Sequence, residues 1–114
     1  MNKISVLGLR VNEPLKVEVI ENELKALQDY VGGIIEIVRI REDIGFICDG
    51  NGKIFNKEPN FLLNRYRDYI VGDVLFVALT EDGDTVSLTK EQMNFVENFL
   101  RDETIRMIKG RVLR

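Results

Sequence analysis

The chain has 114 residues, about the size of one domain, and carries a formal net charge of −3. A net negative charge argues against non-specific binding of duplex DNA, which requires a concentrated basic surface. The sequence contains no histidine and one cysteine, which excludes His-based catalytic triads, thiolate metal sites and an intramolecular disulfide.

Several features of the sequence predict a cytoplasmic protein without a membrane segment. The longest apolar run, residues 74–79, is far too short to span a bilayer. The first residues do not combine basic side chains with an apolar run and a cleavage site, as a secretion signal would. The single cysteine, Cys48, fits a reducing compartment. Because the sequence also lacks phosphate-loop and dinucleotide fingerprints, we expect no cofactor.

The first twenty residues predict a β-hairpin. Residues 3–9 and 15–20 alternate apolar and polar side chains, and a turn ending in Pro14 separates them. We expect the second strand to bury one set of side chains and expose the other, with Leu15, Val17 and Val19 inside and Lys16 and Glu18 outside.

Helix and turn signals divide the middle of the chain. Asn22 is predicted to cap a short helix, which Gly32 and Gly33 end. The segments predicted after this helix are strands at 34–40, 44–48 and 53–55, an irregular loop at 56–69, a long strand at 70–80 bulged near Gly72, and a strand at 85–88.

The clearest element is a C-terminal helix. Thr89 and Gln92 have the spacing of a capping box, and Gly110 is predicted to end the helix. The apolar stripe of this helix consists of Met93, Val96, Phe99, Leu100, Met107 and Ile108. Together the elements predict an α+β fold: a mostly antiparallel sheet with one short helix after the first hairpin and a longer C-terminal helix. We expect a single domain over residues 1–110 and a frayed tail at 111–114.

The segment Asn64-Arg65-Tyr66-Arg67 is the first candidate binding site. It lies in a predicted loop, and such loops commonly carry binding residues. Arginine suits phosphate or carboxylate, tyrosine can stack on a base, and asparagine can read a base edge. The alternative is a solvated loop in which Tyr66 is half-buried.

Two other places carry candidate ligand-binding residues. Arg39 and Arg41 share one side of a strand end, where they form either a wall of an anionic pocket or ion pairs with neighbouring carboxylates. Ser87 and Thr89 precede the final helix, whose N-terminal amides favour anions. Thr89 is equally well explained as the helix cap.

A set of short segments, in order, resembles a known family. The segments are Val31-Gly32-Gly33-Ile34-Ile35-Glu36-Ile37-Val38, Cys48-Asp49-Gly50-Asn51-Gly52-Lys53, Asn64-Arg65, Ile70-Val71-Gly72-Asp73-Val74 and Ser87-Leu88-Thr89-Lys90-Glu91-Gln92. The likeness runs from Lys16 to Phe99 and is to domain of unknown function 3846, found in phages and other mobile elements of Firmicutes. The resemblance implies a phage setting and brings no established activity.

Three functions remain open from the sequence. The first is a homo-oligomeric, non-enzymatic sponge for a small anionic ligand, such as a cyclic nucleotide or ADP-ribose derivative, that counters host defence. In it Arg65 and Arg67 hold phosphates, Arg39 or Arg41 forms a second wall, Tyr66 or Phe46 stacks on a base, and Asn64 reads its edge. The second is a protein-binding inhibitor or regulator, for which an exposed Phe95 beside Ile105 would be the sign. The third is a carboxylate-dependent hydrolase.

Overall fold

Two antiparallel sheets and two helices make up the fold, as seen in a computed structural model that describes residues 2–64, 67–109 and 111–112. The α+β class predicted from the sequence is confirmed. The elements are β1 (Lys3–Leu9), β2 (Lys16–Glu21), α1 (Leu24–Val31), β3 (Ile35–Arg41), β4 (Ile44–Asp49), β5 (Pro59–Leu63), β6 (Asp68–Val71), β7 (Val74–Leu79), β8 (Thr85–Val86), α2 (Lys90–Glu103), β9 (Thr104–Ile108) and β10 (Arg111–Val112).

The larger sheet has the strand order β2-β1-β7-β4-β3, and β8 also pairs with β7. The smaller sheet has the order β10-β9-β5-β6. Every pairing in both sheets is antiparallel. β2 and β3 are therefore the edges of the larger sheet.

Strand β7 shows why the larger sheet is covered on both faces. All six of its residues are buried. Phe76 and its neighbours two residues away belong to the core cluster shared with the smaller sheet and α2. Leu75 and Val77 point the other way and pack with α1. Because successive strand residues face opposite sides, a continuous apolar run is what a doubly covered strand requires.

The predicted orientation of the second strand is right for Leu15 and Lys16 and wrong for Val17, Val19 and Glu18. Val17 and Val19 are 64% and 62% exposed, whereas Glu18 is only partly exposed and its carboxylate accepts a hydrogen bond of 2.8 Å from the Tyr30 hydroxyl. The valines share a face with Leu7, which the smaller sheet covers further inside the molecule. At the edge strand this cover ends, so the valines are exposed although they share a face with buried residues.

The N-terminal boundary of α1 also differs from the prediction. Glu23, not Asn22, is the N-cap, and it makes no side-chain capping bond. The Asn22 amide instead donates to the carbonyl oxygen of Thr85 at 2.9 Å. Gly32 ends the helix as predicted, with a left-handed φ of 79°.

Residues 53–80 depart most from the prediction. Residues 53–55 form a turn rather than a strand, and the predicted loop contains β5 and the start of β6. The predicted long strand is two strands in different sheets, separated at Gly72, whose φ is 76°. Asn60 joins the sheets there: its buried amide donates to the carbonyl oxygens of Leu9 at 2.8 Å and Gly72 at 2.9 Å.

The predicted C-terminal helix is too long. Helix α2 ends at Glu103, and β9 follows at once because it pairs with β5 and β10. Met107, assigned to the helical stripe, is buried from this strand. Arg111–Val112, in the segment expected to fray, form β10, while Gly110 lies outside the described residues.

Candidate functional site: the groove between β3 and α2

A groove of about 310 Å³ runs between edge strand β3 and helix α2. Its apolar lining comes from Val38, Ile40, Leu63, Phe95 and Phe99. Its polar lining comes from Arg39, Asn98, Asp102 and Glu103. The groove is thus apolar at its base, with carboxylates at the end nearest β5.

The local sequence explains both walls. Val38 and Ile40 lie two residues apart and pack against the core cluster shared with the smaller sheet. Phe95 and Phe99 lie four residues apart and therefore on one face of α2. Phe99 makes an edge contact with Phe76, with ring centroids 6.4 Å apart. The base of the groove is consequently anchored to the core.

Thr89 fixes the start of the helical wall. Its side chain accepts a hydrogen bond from the Gln92 backbone, and the Gln92 side chain accepts one from the Thr89 backbone. The predicted capping box is confirmed. The side-chain oxygen of Ser87 accepts from the Ser5 backbone N–H at 2.9 Å. Neither Ser87 nor Thr89 lines the groove.

The guanidinium of Arg41 is held by two carboxylates. Its guanidinium makes ion pairs with Asp43 at 2.6 Å and with Glu91 at 2.9 Å, and it lies 4.7 Å from the Phe95 ring centre. The hydrogen bonds to Glu91 and Asp43 raise the pKa of Arg41, and that from Arg41 lowers the pKa of Asp43. Of the two roles that the sequence left open for Arg41, the structure shows the ion pairs. The pair with Glu91 links β3 to α2.

Arg39 remains at the exposed rim. Its guanidinium donates to the carbonyl oxygens of Glu42 and, at 3.1 Å, Thr80. These are neutral acceptors, so its positive charge is not cancelled by a carboxylate in these contacts. Among the predicted ligand-binding arginines that the structure describes, Arg39 lines the groove, whereas Arg41 and Arg67 do not.

The predicted binding loop begins at the end of the groove. Asn64 is exposed, and its backbone N–H donates to the carbonyl oxygen of Glu103 at 3.0 Å. Arg67 is exposed with a left-handed φ of 50°. Arg65 and Tyr66 lie outside the described residues. Asn64 therefore adjoins one end of the groove that Arg39 lines, but it is not itself a lining residue.

The prediction that Phe46 stacks on a ligand is wrong. Its side chain is fully buried, and its ring meets the rings of Phe61 and Phe76 at centroid distances of 5.7 and 5.6 Å. The strand β4 that carries it is central in the larger sheet and buried along its whole length. An aromatic residue there forms the core.

The apolar groove was missed from the sequence, although one signal pointed to it. Phe95 lies off the main stripe of α2, which suggested an unusual surface residue. The structure makes it half-buried, beneath Arg41, whereas Ile105 lies in β9. Across the described ranges, no three acidic or cysteine side chains are placed to hold a metal ion. None of the described helices is long and apolar enough to cross a membrane.

Two of the glycine-containing family segments, residues 31–38 and 48–53, meet around an ion pair between Asp49 and Lys57. The Asp49 carboxylate, whose side chain is 1% exposed, makes an ion pair with Lys57 at 2.6 Å. Lys57 also donates to the carbonyl oxygens of Val31 and Gly32, at the end of α1. A Cβ at Gly33 would lie 2.5 Å from Asp49, so this approach requires glycine. The cluster joins segments distant in sequence.

A family model described as domain of unknown function 3846 matches residues 4–101. The chain belongs to this family. The predicted membership in domain of unknown function 3846 is confirmed. The match includes the Asp49–Lys57 cluster and the lining of the groove except Asp102 and Glu103. No curated protein and no solved structure gives a significant match to the chain.

Proposed function

We propose that this protein is a non-enzymatic binding module that takes up an extended segment of a partner protein in the groove between β3 and α2. The observation that carries the proposal is an apolar groove bordered by an edge strand. β3 ends the larger sheet, so its outer side has no neighbouring strand among the described residues. An edge strand beside a helix is an arrangement to which extended peptides add as a further strand.

The lining defines the chemistry of the partner segment. Main-chain hydrogen bonds to β3 would supply affinity, and alternate side chains of the segment would enter the groove. Phe95 and Phe99 favour an apolar side chain at the base. Asp102, at the far end, forms an exposed ion pair with Arg101 at 3.0 Å, and a basic side chain of the segment would compete for its carboxylate. The phage setting implied by the resemblance makes a host defence protein the first partner class to test.

The chemistry of the single cysteine argues against a thiol nucleophile. Cys48 is buried, and burial, followed by the negative charges of Glu36 and Asp49, raises its pKa to about 12. A thiol with such a pKa carries almost no thiolate at neutral pH, and the thiolate is the nucleophilic form. The sequence offers no histidine to serve as its base.

A nucleotide sponge remains the second candidate. The observation that favours it is that Arg39 lines the groove, while the Asn64 backbone donates to Glu103, another residue of the groove lining. Two features weigh against it: Arg41 is held by two carboxylates, and Phe46 is inside the core. An apolar side chain of a partner protein would pack on the apolar base of the groove, whereas a nucleotide phosphate would not.

The test blocks the groove without disturbing the core. Random peptides displayed on a surface are selected against the protein, and the tightest is titrated by fluorescence anisotropy. Asn98→Trp is expected to weaken its binding at least about tenfold, because the indole fills the groove from an exposed position. Glu97→Trp is the matched control: Glu97 is the exposed neighbour on the same helix and does not line the groove.

Equal binding by wild type and Asn98→Trp would contradict the proposed site. Calorimetric titration with cyclic nucleotides and ADP-ribose derivatives addresses the second candidate. Binding of one of them, weakened by Arg39→Ala, would favour the sponge. No binding at micromolar protein would eliminate it.

A further inference from the structure

The second edge of the larger sheet presents an apolar strip to solvent. Val17 and Val19 of β2 are 64% and 62% exposed. Leu15, on the same alternation, is partly buried against the core. β2 pairs with β1 on one side, and no described strand pairs with its other side. Edge strands with apolar side chains are templates for pairing with another chain.

The opposite face of β2 carries charges of both signs. Lys16 is exposed, and its ammonium lies 3.3 Å from Glu13, a pair whose two side chains are themselves largely exposed. One Glu18 oxygen accepts from the Tyr30 hydroxyl. Charges on an edge strand ordinarily discourage pairing, unless the partner strand places opposite charges against them.

We infer that two copies of this chain pair through β2, antiparallel and about a twofold axis at Val17, to form one continuous sheet. Residues paired across an antiparallel ladder lie on the same face of the sheet. A twofold at Val17 sets Val17 against itself and Leu15 against Val19 of the second copy. Over residues 15–19, one face of the junction is therefore apolar.

The charges select this register over its neighbours. With the axis at Val17, Lys16 of each copy faces Glu18 of the other, which gives two opposite-charge pairs. An axis at Glu18 would set the two Glu18 carboxylates against each other. An axis at Val19 would set Glu18 against Ile20 and Val17 against Glu21. Only the first of these three registers pairs both charges and matches the apolar residues.

The first experiment measures mass in solution by analytical ultracentrifugation over a concentration series. The wild-type chain is expected to dimerise by about 100 μM, since the pairing is short. Val17→Lys sets two ammonium groups at the axis and is expected to raise the dimer dissociation constant at least about tenfold. Ile34→Lys is the matched control, because Ile34 is also 62% exposed and lies outside β2.

The second experiment tests the register itself. In a dimer of the Lys16→Glu variant, two glutamates would face each other in both charge pairs. In a dimer of the Glu18→Lys variant, two lysines would face each other in both pairs. Each variant alone is therefore expected to be monomeric. Mixed together, the two variants restore two opposite-charge pairs, and a heterodimer is expected. Circular dichroism checks that each variant is folded, since Glu18 contacts Tyr30.

Three results would overturn the inference. One is a wild-type chain that stays monomeric at about 100 μM. Another is a dimer that Ile34→Lys dissociates and Val17→Lys does not. The last is a pair of folded charge variants that remain monomeric when mixed, which would reject the Val17 register.

Discussion

Phe46→Ala is expected to lower the free energy of unfolding by about 3–5 kcal/mol. The side chain is 0% exposed and packs against Phe61 and Phe76, at the point where the two sheets meet. Truncation removes apolar contact and leaves a cavity that rigid strands on both sides cannot close. Urea denaturation followed by circular dichroism measures the change.

Phe55→Ala is the control for this prediction. Phe55 is 69% exposed, and its truncation is expected to change the unfolding free energy by no more than about 0.5 kcal/mol. A Phe46→Ala protein of wild-type stability would contradict the core assignment.

Asp49→Asn is expected to cost about 2–3 kcal/mol at neutral pH. The substitution leaves the Lys57 ammonium beside a neutral amide, and Lys57 keeps its contacts with the Val31 and Gly32 carbonyl oxygens. Because Lys57 keeps these contacts, the loss of unfolding free energy should be smaller than for a fully buried charge left without any partner. Thermal and urea unfolding of the two proteins measure it.

The pH dependence of this effect follows from the pKa of Asp49. Burial opposes ionisation, but hydrogen bonds from Lys57 and the Asn51 backbone outweigh it and hold the pKa below its ordinary value of 3.8. The folded carboxylate therefore stabilises fully above that value, and the stabilisation is lost as the pH falls through the lower folded pKa. The stability difference between wild type and Asp49→Asn should shrink in this acidic range.

Asp29→Asn is the control for the acid titration. Asp29 also pairs with a lysine, Lys25, but its side chain is 64% exposed. Exposed pairs contribute little because water screens them. We expect the control to unfold at the wild-type denaturant midpoint. A pH-independent difference between wild type and Asp49→Asn would contradict the ion-pair account.

The sequence predicted those elements whose signals are local. Thr89 and Gln92 specify the start of α2 through side chains three residues apart. Gly32 ends α1 because glycine adopts the left-handed conformation without strain. Both features depend on a few neighbouring residues, so no knowledge of the tertiary structure was needed.

Elements whose conformation depends on residues distant in the sequence were predicted wrongly. Met107 continued the helical spacing of α2 by coincidence, yet pairing of β9 with β5 decides its conformation. The orientation of β2 depends on where the smaller sheet ends, which the alternation of Val17 and Val19 does not encode. Local propensity predicts a strand, while its buried face is set by tertiary context.

The sequence predicted only part of the candidate site, because the site also depends on residues distant in the sequence. Residue type identified Arg39 and Arg41 as cations near one strand end, and the structure places Arg39 on the groove. Arg41 has two acidic partners: Asp43 is two residues away in the sequence, whereas Glu91 is fifty residues away. The groove itself is a property of two elements brought together, β3 and α2, and no single segment carries its pattern.

Amide hydrogen exchange with and without the selected peptide tests the central claim most directly. Strand addition forms new hydrogen bonds with backbone groups on the outer side of β3. We expect slower exchange within Ile35–Arg41 when the peptide is bound, and unchanged exchange in β6, an edge of the smaller sheet. Unchanged exchange in β3, with protection confined to β6 or to residues 53–57, would contradict the claim that this groove is the binding site.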